Sequence, residues 1–198
     1  MYGNQALTQR EWKNIAHGGM SDAKQREADL EYWLTQLKEG KIKLQIASDS
    51  PIILKRGEEL LLVLHNVSLL EPRTVRTGRY GGPSIRVAKG IYFKVGSFQA
   101  ESHEELRKID QGILTLTNKR LVFTGTKRTV NIDIRKIISI EPYSDAIAIR
   151  RSGKQKTEYF AGIDGTKISI SVENRVYEEQ LTGLILKYQI EGLIRQIE

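Results

Sequence analysis

The sequence predicts an α+β fold: mainly an antiparallel β-barrel or sandwich, closed by a C-terminal α-helix and preceded by an N-terminal helical arm. Three observations carry that prediction. Between 112 and 161, runs of strand-forming residues recur at about 8–12 residue spacing with turn pairs between them, the pattern of antiparallel sandwiches and barrels. After 175 the apolar residues fall on helical stripes instead. Before 51, one capped amphipathic stretch ends at a glycine.

Taken in chain order, residues 1–19 show no clear period, and Met20 opens MSDAKQREADLEYWLTQL, which has the look of a natural start. Residues 1–20 are therefore expected to be a flexible leader or extension, 21–50 a helical arm, and 51–198 the barrel with its helix. No apolar core of a secretory signal occurs in the leader. Residues 22–38 read as a helix. Ser21 is its N-cap, Asp22, Glu27 and Asp29 lie toward its positive end, and Gly40 stops it. Leu30, Trp33, Leu34 and Leu37 make one apolar stripe, expected to dock on the rest of the domain.

Leu60–Leu64 is apolar throughout, as a strand buried on both faces would be, and Ser68–Leu70 continues it. TVRTGRYGGPS follows and reads as a basic, Gly-rich loop. In IRVAKGIYFKVG, Ile85 and Val87 alternate with Arg86 and Ala88, and Ile91, Phe93 and Val95 with Tyr92 and Lys94. That is a hairpin with its turn at Lys89–Gly90. Residues 101–111 are polar, and Ser102 with Glu105 forms a capping-box pattern, so a short helical turn is expected there. Then come GILTLT, RLVFTG, RTVNIDI, KIISIEPY, AIAIRR and TEYFAG. Turns are expected at Asn118–Lys119, Gly125–Thr126, Ser144–Asp145 and Ser152–Gly153, and KISISV adds one more strand. From Arg175 to Ile197 one stripe holds Tyr177, Leu181, Leu184 and Tyr188, and a second Leu186, Ile190, Leu193 and Ile197. Two stripes predict a largely buried helix, and Gly183 and Gly192 within it predict close packing.

Composition excludes several classes. The 198 residues are 28% charged and 39% apolar, too apolar and too balanced in charge for a disordered chain. Cys is absent, which excludes a disulfide scaffold, a zinc ribbon and a cysteine enzyme. The longest unbroken aliphatic run, Leu60–Leu64, is far short of the roughly 20 residues a membrane-spanning helix needs. With no Cys and no secretory signal, the expected location is cytoplasmic, with a peripheral place on the inner face of a membrane as its variant. The net charge of +7 is unevenly placed. Residues 1–50 carry seven basic and seven acidic groups, whereas 72–100 carry six basic groups and no acid: Arg73, Arg76, Arg79, Arg86, Lys89 and Lys94. Such a segment attracts anions.

GILTLTNKRLVFTG, with a small residue opening one strand and a Thr before a tight turn into an Arg-Leu-x-Phe strand, resembles the strand–turn–strand signature of GRAM and bacterial pleckstrin-homology (PH)-like domains. TVNIDIRKIISIEPYSDAIAIRR is similar to that family's continuation. The resemblance covers about residues 52–198 and is sharp over 112–161. It implies a barrel-type fold with no catalytic groups. It also implies that basic residues on and between the first two strands contact lipid phosphates in the members that bind phosphoinositides. The six cations of 73–94 fall in that zone, without a position-by-position match, and other members are protein-interaction modules.

Catalysis finds no support. His17, His65 and His103 lack metal-ligand spacing, no nucleophile or phosphate-loop motif occurs, and Glu58–Glu59, Glu104–Glu105 and Glu178–Glu179 are neighbours whose side chains diverge. No metal and no cofactor is expected. The function expected is a non-catalytic binding or scaffolding module. It would dock to acidic phospholipid headgroups or an acidic protein partner through Arg73, Arg76, Arg79, Arg86, Lys89 and Lys94. Self-assembly into a homo-oligomer is the first alternative. Single-stranded nucleic-acid binding, with Tyr80 and Tyr92 as stacking platforms, is the second.

Overall fold

The structure, a computed structural model, describes residues 7–46, 49–80, 84–88, 91–94 and 98–197, with the backbone alone between 74 and 104. A helix, α1 (Gln9–Ala16), lies within the stretch expected to be a leader. Thr8 caps it: the Thr8 hydroxyl accepts from the Glu11 N–H, and the Glu11 carboxylate accepts from the Thr8 N–H. The next helix, α2 (Asp22–Lys38), has the predicted bounds, the Ser21 cap and a C-terminal Gly40 at φ +73°. Trp33 and Leu37 of its stripe are buried in the core, with Leu30 and Leu34 packed beside them.

The main sheet has seven antiparallel strands. In chain order they are β1 (Leu60–Tyr80), β4 (Phe98–Thr117), β5 (Arg120–Gly125), β6 (Thr129–Asp133), β7 (Ile137–Pro142), β8 (Ala146–Arg151) and β9 (Glu158–Ala161). Their spatial order is β6-β5-β4-β1-β9-β8-β7. A final helix, α3 (Gly183–Arg195), packs on β7 and β8. This is the expected plan, a run of antiparallel strands closed by one C-terminal helix. It is a sandwich and not a closed barrel: among the described residues β6 and β7 end the sheet without pairing to each other, and the 3₁₀ turn Ile134–Lys136 joins them. The core between the layers holds Leu62, Leu64, Leu114, Leu116, Leu121, Phe123, Ile147, Ile149, Phe160, Leu186 and Ile190.

Two expectations are corrected between Arg73 and Gln111. The residues 74–80, read as part of a basic, Gly-rich loop, continue β1. The stretch 101–111, read as containing a helical turn, belongs to β4. The two strands pair from Arg73↔Glu105 to Tyr80↔Phe98, a two-stranded ribbon beyond the short contact of β1 with β9 at Ser68–Leu70. Cross-strand pairing overrides the local capping-box signal. At the far end, β2 (Ser84–Ala88) and β3 (Ile91–Lys94) form the predicted hairpin, with Lys89–Gly90 outside the described residues.

A third correction falls at the C-terminus. The helix expected from Arg175 begins at Gly183, because Arg175–Gln180 is a strand, β11, paired with β10 (Lys167–Val172). Thr182 caps α3 by accepting from the Ile185 N–H. Both of the helix glycines lie against backbone. A Cβ at Gly183 would sit 2.2 Å from the Ala146 carbonyl oxygen at the start of β8, and one at Gly192 2.2 Å from the Leu37 carbonyl oxygen of α2.

Three carboxylates fasten these parts. Asp29 on α2 accepts from Arg175 (2.6 and 3.1 Å), Tyr177 (2.5 Å) and Gln25 (2.9 Å), tying the arm to β11. The Arg175 and Tyr177 donors hold its carboxyl far below the usual range, against the opposing effect of burial. Glu58 binds Arg120 (2.7 and 3.0 Å), Thr117 and the Lys55 N–H. Burial alone would raise its carboxyl, but these donors bring it down to about 2. Asp110 is likewise brought down to about 2 by the N–H groups of Lys127, Gln111 and Arg128 and by the Thr126 hydroxyl, which outweigh burial. A carboxylate depressed on folding contributes stability above its unfolded pKa and loses it as pH falls through the folded value. Thermal stability should therefore hold steady above about pH 5 and fall between about pH 4.5 and pH 2. Melting curves across that range check this; a melting temperature unchanged down to pH 2.5 would contradict it.

Candidate anion-binding site

In four strands the core-facing series ends on a charged residue at the same end of the sandwich. Side chains two apart share a strand face. Leu69 is followed on its face by Glu71, Val130 is preceded by Arg128, Ile149 is followed by Arg151, and Phe160 is preceded by Glu158. The apolar interior therefore gives way to ions at one mouth. The β8–β9 turn adds Lys154 and Lys156, and β1 adds Arg73 as it leaves the sheet.

The mouth is a network around two buried carboxylates. Glu71 is 4% exposed and Glu158 0%. Lys154 Nζ bridges them at 2.7 and 2.6 Å. Arg128 Nη1 reaches Glu71 at 2.9 Å, Arg151 Nε reaches Glu158 at 2.8 Å, and Arg73 Nη2 lies 4.0 Å from Glu71. Burial opposes ionisation of Glu71, but Lys154 and Arg128 outweigh it and hold its carboxyl below the usual range. Lys156 donates to the Pro72 carbonyl at 3.3 Å. Among the described residues lining the cleft, of about 450 Å³, five cations thus face two carboxylates, an excess of three positive charges.

Asp110 positions one wall. Its carboxylate accepts from the N–H groups of Lys127 (2.7 Å) and Arg128 (2.9 Å) and from the Thr126 hydroxyl (3.1 Å), so it fills the concavity of the β5–β6 turn. Gly125 makes room for it, since a Cβ there would lie 2.2 Å from Asp110 Oδ2. A second cleft of about 590 Å³ adjoins the first, with Asn131 and Arg151 common to both. Lys55, Lys119, Arg120, Arg135 and Lys136 give it the same sign, with Asp133 as its one carboxylate among the lining residues.

Of the predicted anion-binding residues, Arg73 stands in this mouth. Arg76 and Arg79 lie on the β1 ribbon, opposite Ser102 and Gln99, and Arg86 and Lys94 on the β2–β3 hairpin, opposite Tyr92 and Ser84. The side chains of Arg76, Arg79, Arg86 and Lys94, those of Tyr80 and Tyr92, and the whole of Lys89, lie outside the described residues. Sequence reasoning missed Arg128, Arg151, Lys154 and Lys156. Their signal was present: a basic residue at the end of an alternating run, as in AIAIRR, and a turn reading SGKQK.

His65 is exposed on β1, and His17 Nδ1 lies 2.7 Å from the Lys13 carbonyl oxygen. Among the described residues no group of three His, Asp or Glu side chains could hold a metal ion, and no helix is long and apolar enough to cross a membrane. No family model and no curated protein matches the chain. Among solved structures, one described as the Vps36 N-terminal PH domain is similar at a TM-score of 0.40 and 10% identity, over 79% of this chain and 93% of that one.

Proposed function

We propose that this chain is a non-catalytic binding module that docks on an anionic surface through the mouth formed by Arg73, Arg128, Arg151, Lys154 and Lys156, extended along the ribbon by Arg76, Arg79, Arg86, Lys89 and Lys94. The observation that carries the reading is the replacement of core-facing apolar residues by ions at one end of four strands, with cations in excess. Both acids are buried within ion pairs, while the guanidinium and ammonium groups keep one face toward solvent. A partner anion therefore meets cations first. Acidic lipid headgroups and acidic protein segments share that chemistry, and either would place the protein in the cytoplasm or at the inner face of a membrane.

The test uses neutral vesicles, vesicles containing acidic lipid, and heparin, a polyanion without peptide backbone, each at low and high salt. The protein should bind at least one anionic probe, lose it as salt rises, and ignore neutral vesicles. Each cation near an anionic surface contributes about 1 kcal/mol, so Arg73→Ala with Lys156→Ala should weaken binding roughly 30-fold. Equal binding to neutral and acidic vesicles together with no binding to heparin would sink the reading.

A further inference from the structure

Resting on the anion-docking reading, and naming its partner, we infer that the free edge of β6 receives an extended acidic peptide segment as an added strand. β6 ends the sheet, with β5 on one side and no strand on the other among the described residues. Its hydrogen bonding fixes which groups are free. Gly125 donates to the Arg128 carbonyl and Ile134 to the Lys119 carbonyl, so the bonded positions facing β5 are 128, 130, 132 and 134. In an antiparallel pair the bonded and non-bonded positions alternate. The N–H and C=O groups of Thr129, Asn131 and Asp133 therefore point to the open edge.

That edge borders a groove. The two clefts, about 450 and 590 Å³, meet at Asn131, and between them they are lined by Thr129, Asn131 and Asp133. Five strand residues span about 17 Å, room for an equal length of partner strand. The edge carries none of the usual guards against pairing: no Pro, no bulge and no outward Lys, only Thr129, Asn131 and an Asp133 whose carboxylate is bound bidentately by Arg135 (3.0 and 2.7 Å).

The groove selects the partner by charge. Arg73 and Lys156 stand at one end, Arg151 in the middle, and Lys136 and Lys55 at the other. Lys156 donates to a carbonyl and not to a carboxylate, and Lys136 acts at longer range on Asp133, whose carboxyl is held below the usual range chiefly by Arg135. A second copy of this chain would bring the same cations against these, so pairing of two β6 edges is opposed by like charge. A lipid headgroup matches the charge, and its phosphate can accept from an N–H, but it offers no row of alternating donors and acceptors at strand spacing. An acidic segment in extended form satisfies both.

The experiment separates backbone pairing from charge. The probes are a fluorescent peptide of alternating Glu and Val, a peptide of alternating Glu and Pro with the same charge, and heparin. The Glu-Val peptide should bind at least ten-fold more tightly than the Glu-Pro peptide. Asn131→Pro removes one free-edge N–H without touching the bonds to β5, a position where strands tolerate proline. It should weaken Glu-Val binding ten-fold or more, and by a larger factor than it weakens heparin binding, while Asn131→Ala, which keeps the N–H, should bind as the parent does. In the parent protein, which needs no substitution to fold, the Glu-Val peptide should slow amide exchange at Thr129, Asn131 and Asp133 at least ten-fold and leave Val130 and Ile132 unchanged. Equal affinity for the two peptides, or no slowing at those three amides, would overturn the inference while heparin binding upholds the anion-docking reading. Failure to bind heparin, peptide and acidic vesicles alike would overturn both.

Discussion

Glu158→Gln should lower folding stability by about 2–4 kcal/mol and tighten heparin binding at once. Glu158 is fully buried, and its two oxygens are the partners of Arg151 (2.8 Å) and Lys154 (2.6 Å). The amide keeps the shape and removes the charge, leaving two cations beside Phe160 and Glu71 with one carboxylate between them. Removing one member of a buried pair costs about 3–5 kcal/mol; here the lower range applies, because Arg151 and Lys154 keep about a quarter of their surface in water. The excess positive charge at the mouth rises from three to four by the same substitution. Denaturant unfolding and heparin affinity measure the two effects, which should have opposite sense. A variant as stable as the parent would show that Glu158 does not hold the mouth together.

Gly192→Val should be at least as costly, by about 3 kcal/mol or more, and should act on the arm. The α2–α3 crossing is a backbone-to-backbone contact: a Cβ at Gly192 meets the Leu37 carbonyl oxygen at 2.2 Å and Gly40 Cα at 3.0 Å, and one at Gly40 meets the Gly192 carbonyl oxygen at 2.6 Å. Gln196 donates to the Gly40 carbonyl, and Gln189 Oε1 accepts from the Leu44 N–H at 2.7 Å, so α3 is also joined to the segment that follows α2 by hydrogen bonds that need this spacing. Main-chain atoms cannot turn aside as a flexible side chain can. The valine should push α2 away and wet Trp33, which is 7% exposed. Tryptophan emission in a Trp12→Phe background reads Trp33 alone, since the chain has two tryptophans. A red shift with a lowered melting temperature is the expected result. Unchanged emission and stability would mean that the helices do not rely on this contact.

Local signals decided how much of the molecule the sequence could reveal. Strands β5 to β9 were legible because alternation and turn residues agree over short spans, as at Asn118–Lys119 between β4 and β5. Helix α2 was legible to the residue because Ser21 and Gly40 mark its ends. Tyr177 misled, since it stands four residues before Leu181 and completes a helical stripe by chance. In the structure it is paired with Ile170 and its hydroxyl binds Asp29, a partner 148 residues away. The capping-box pattern at Ser102 and Glu105 failed for the same kind of reason: the strand that claims them, β1, is remote in sequence.

The mouth was legible only through Arg73. Charge summed along the chain singles out 72–100 as the longest acid-free basic stretch, whereas Arg128, Arg151, Lys154 and Lys156 come from two shorter acid-free runs, 111–132 and 146–157, with four basic groups each. Their convergence depends on strand order, which places β9 beside β1 and β8 beside β9. The proper signal was the face on which each charge falls, and that face has meaning only once the register is known.

The central claim is that this mouth attracts anions through its unpaired excess of positive charge. Its most direct test is the salt dependence of heparin binding, comparing the parent with Arg73→Ala/Lys156→Ala. Plotted as log affinity against log salt, the parent should give a negative slope whose size counts the cations engaged, and the variant a slope smaller by about two. Two slopes that coincide would place the anion elsewhere on the molecule and contradict the account.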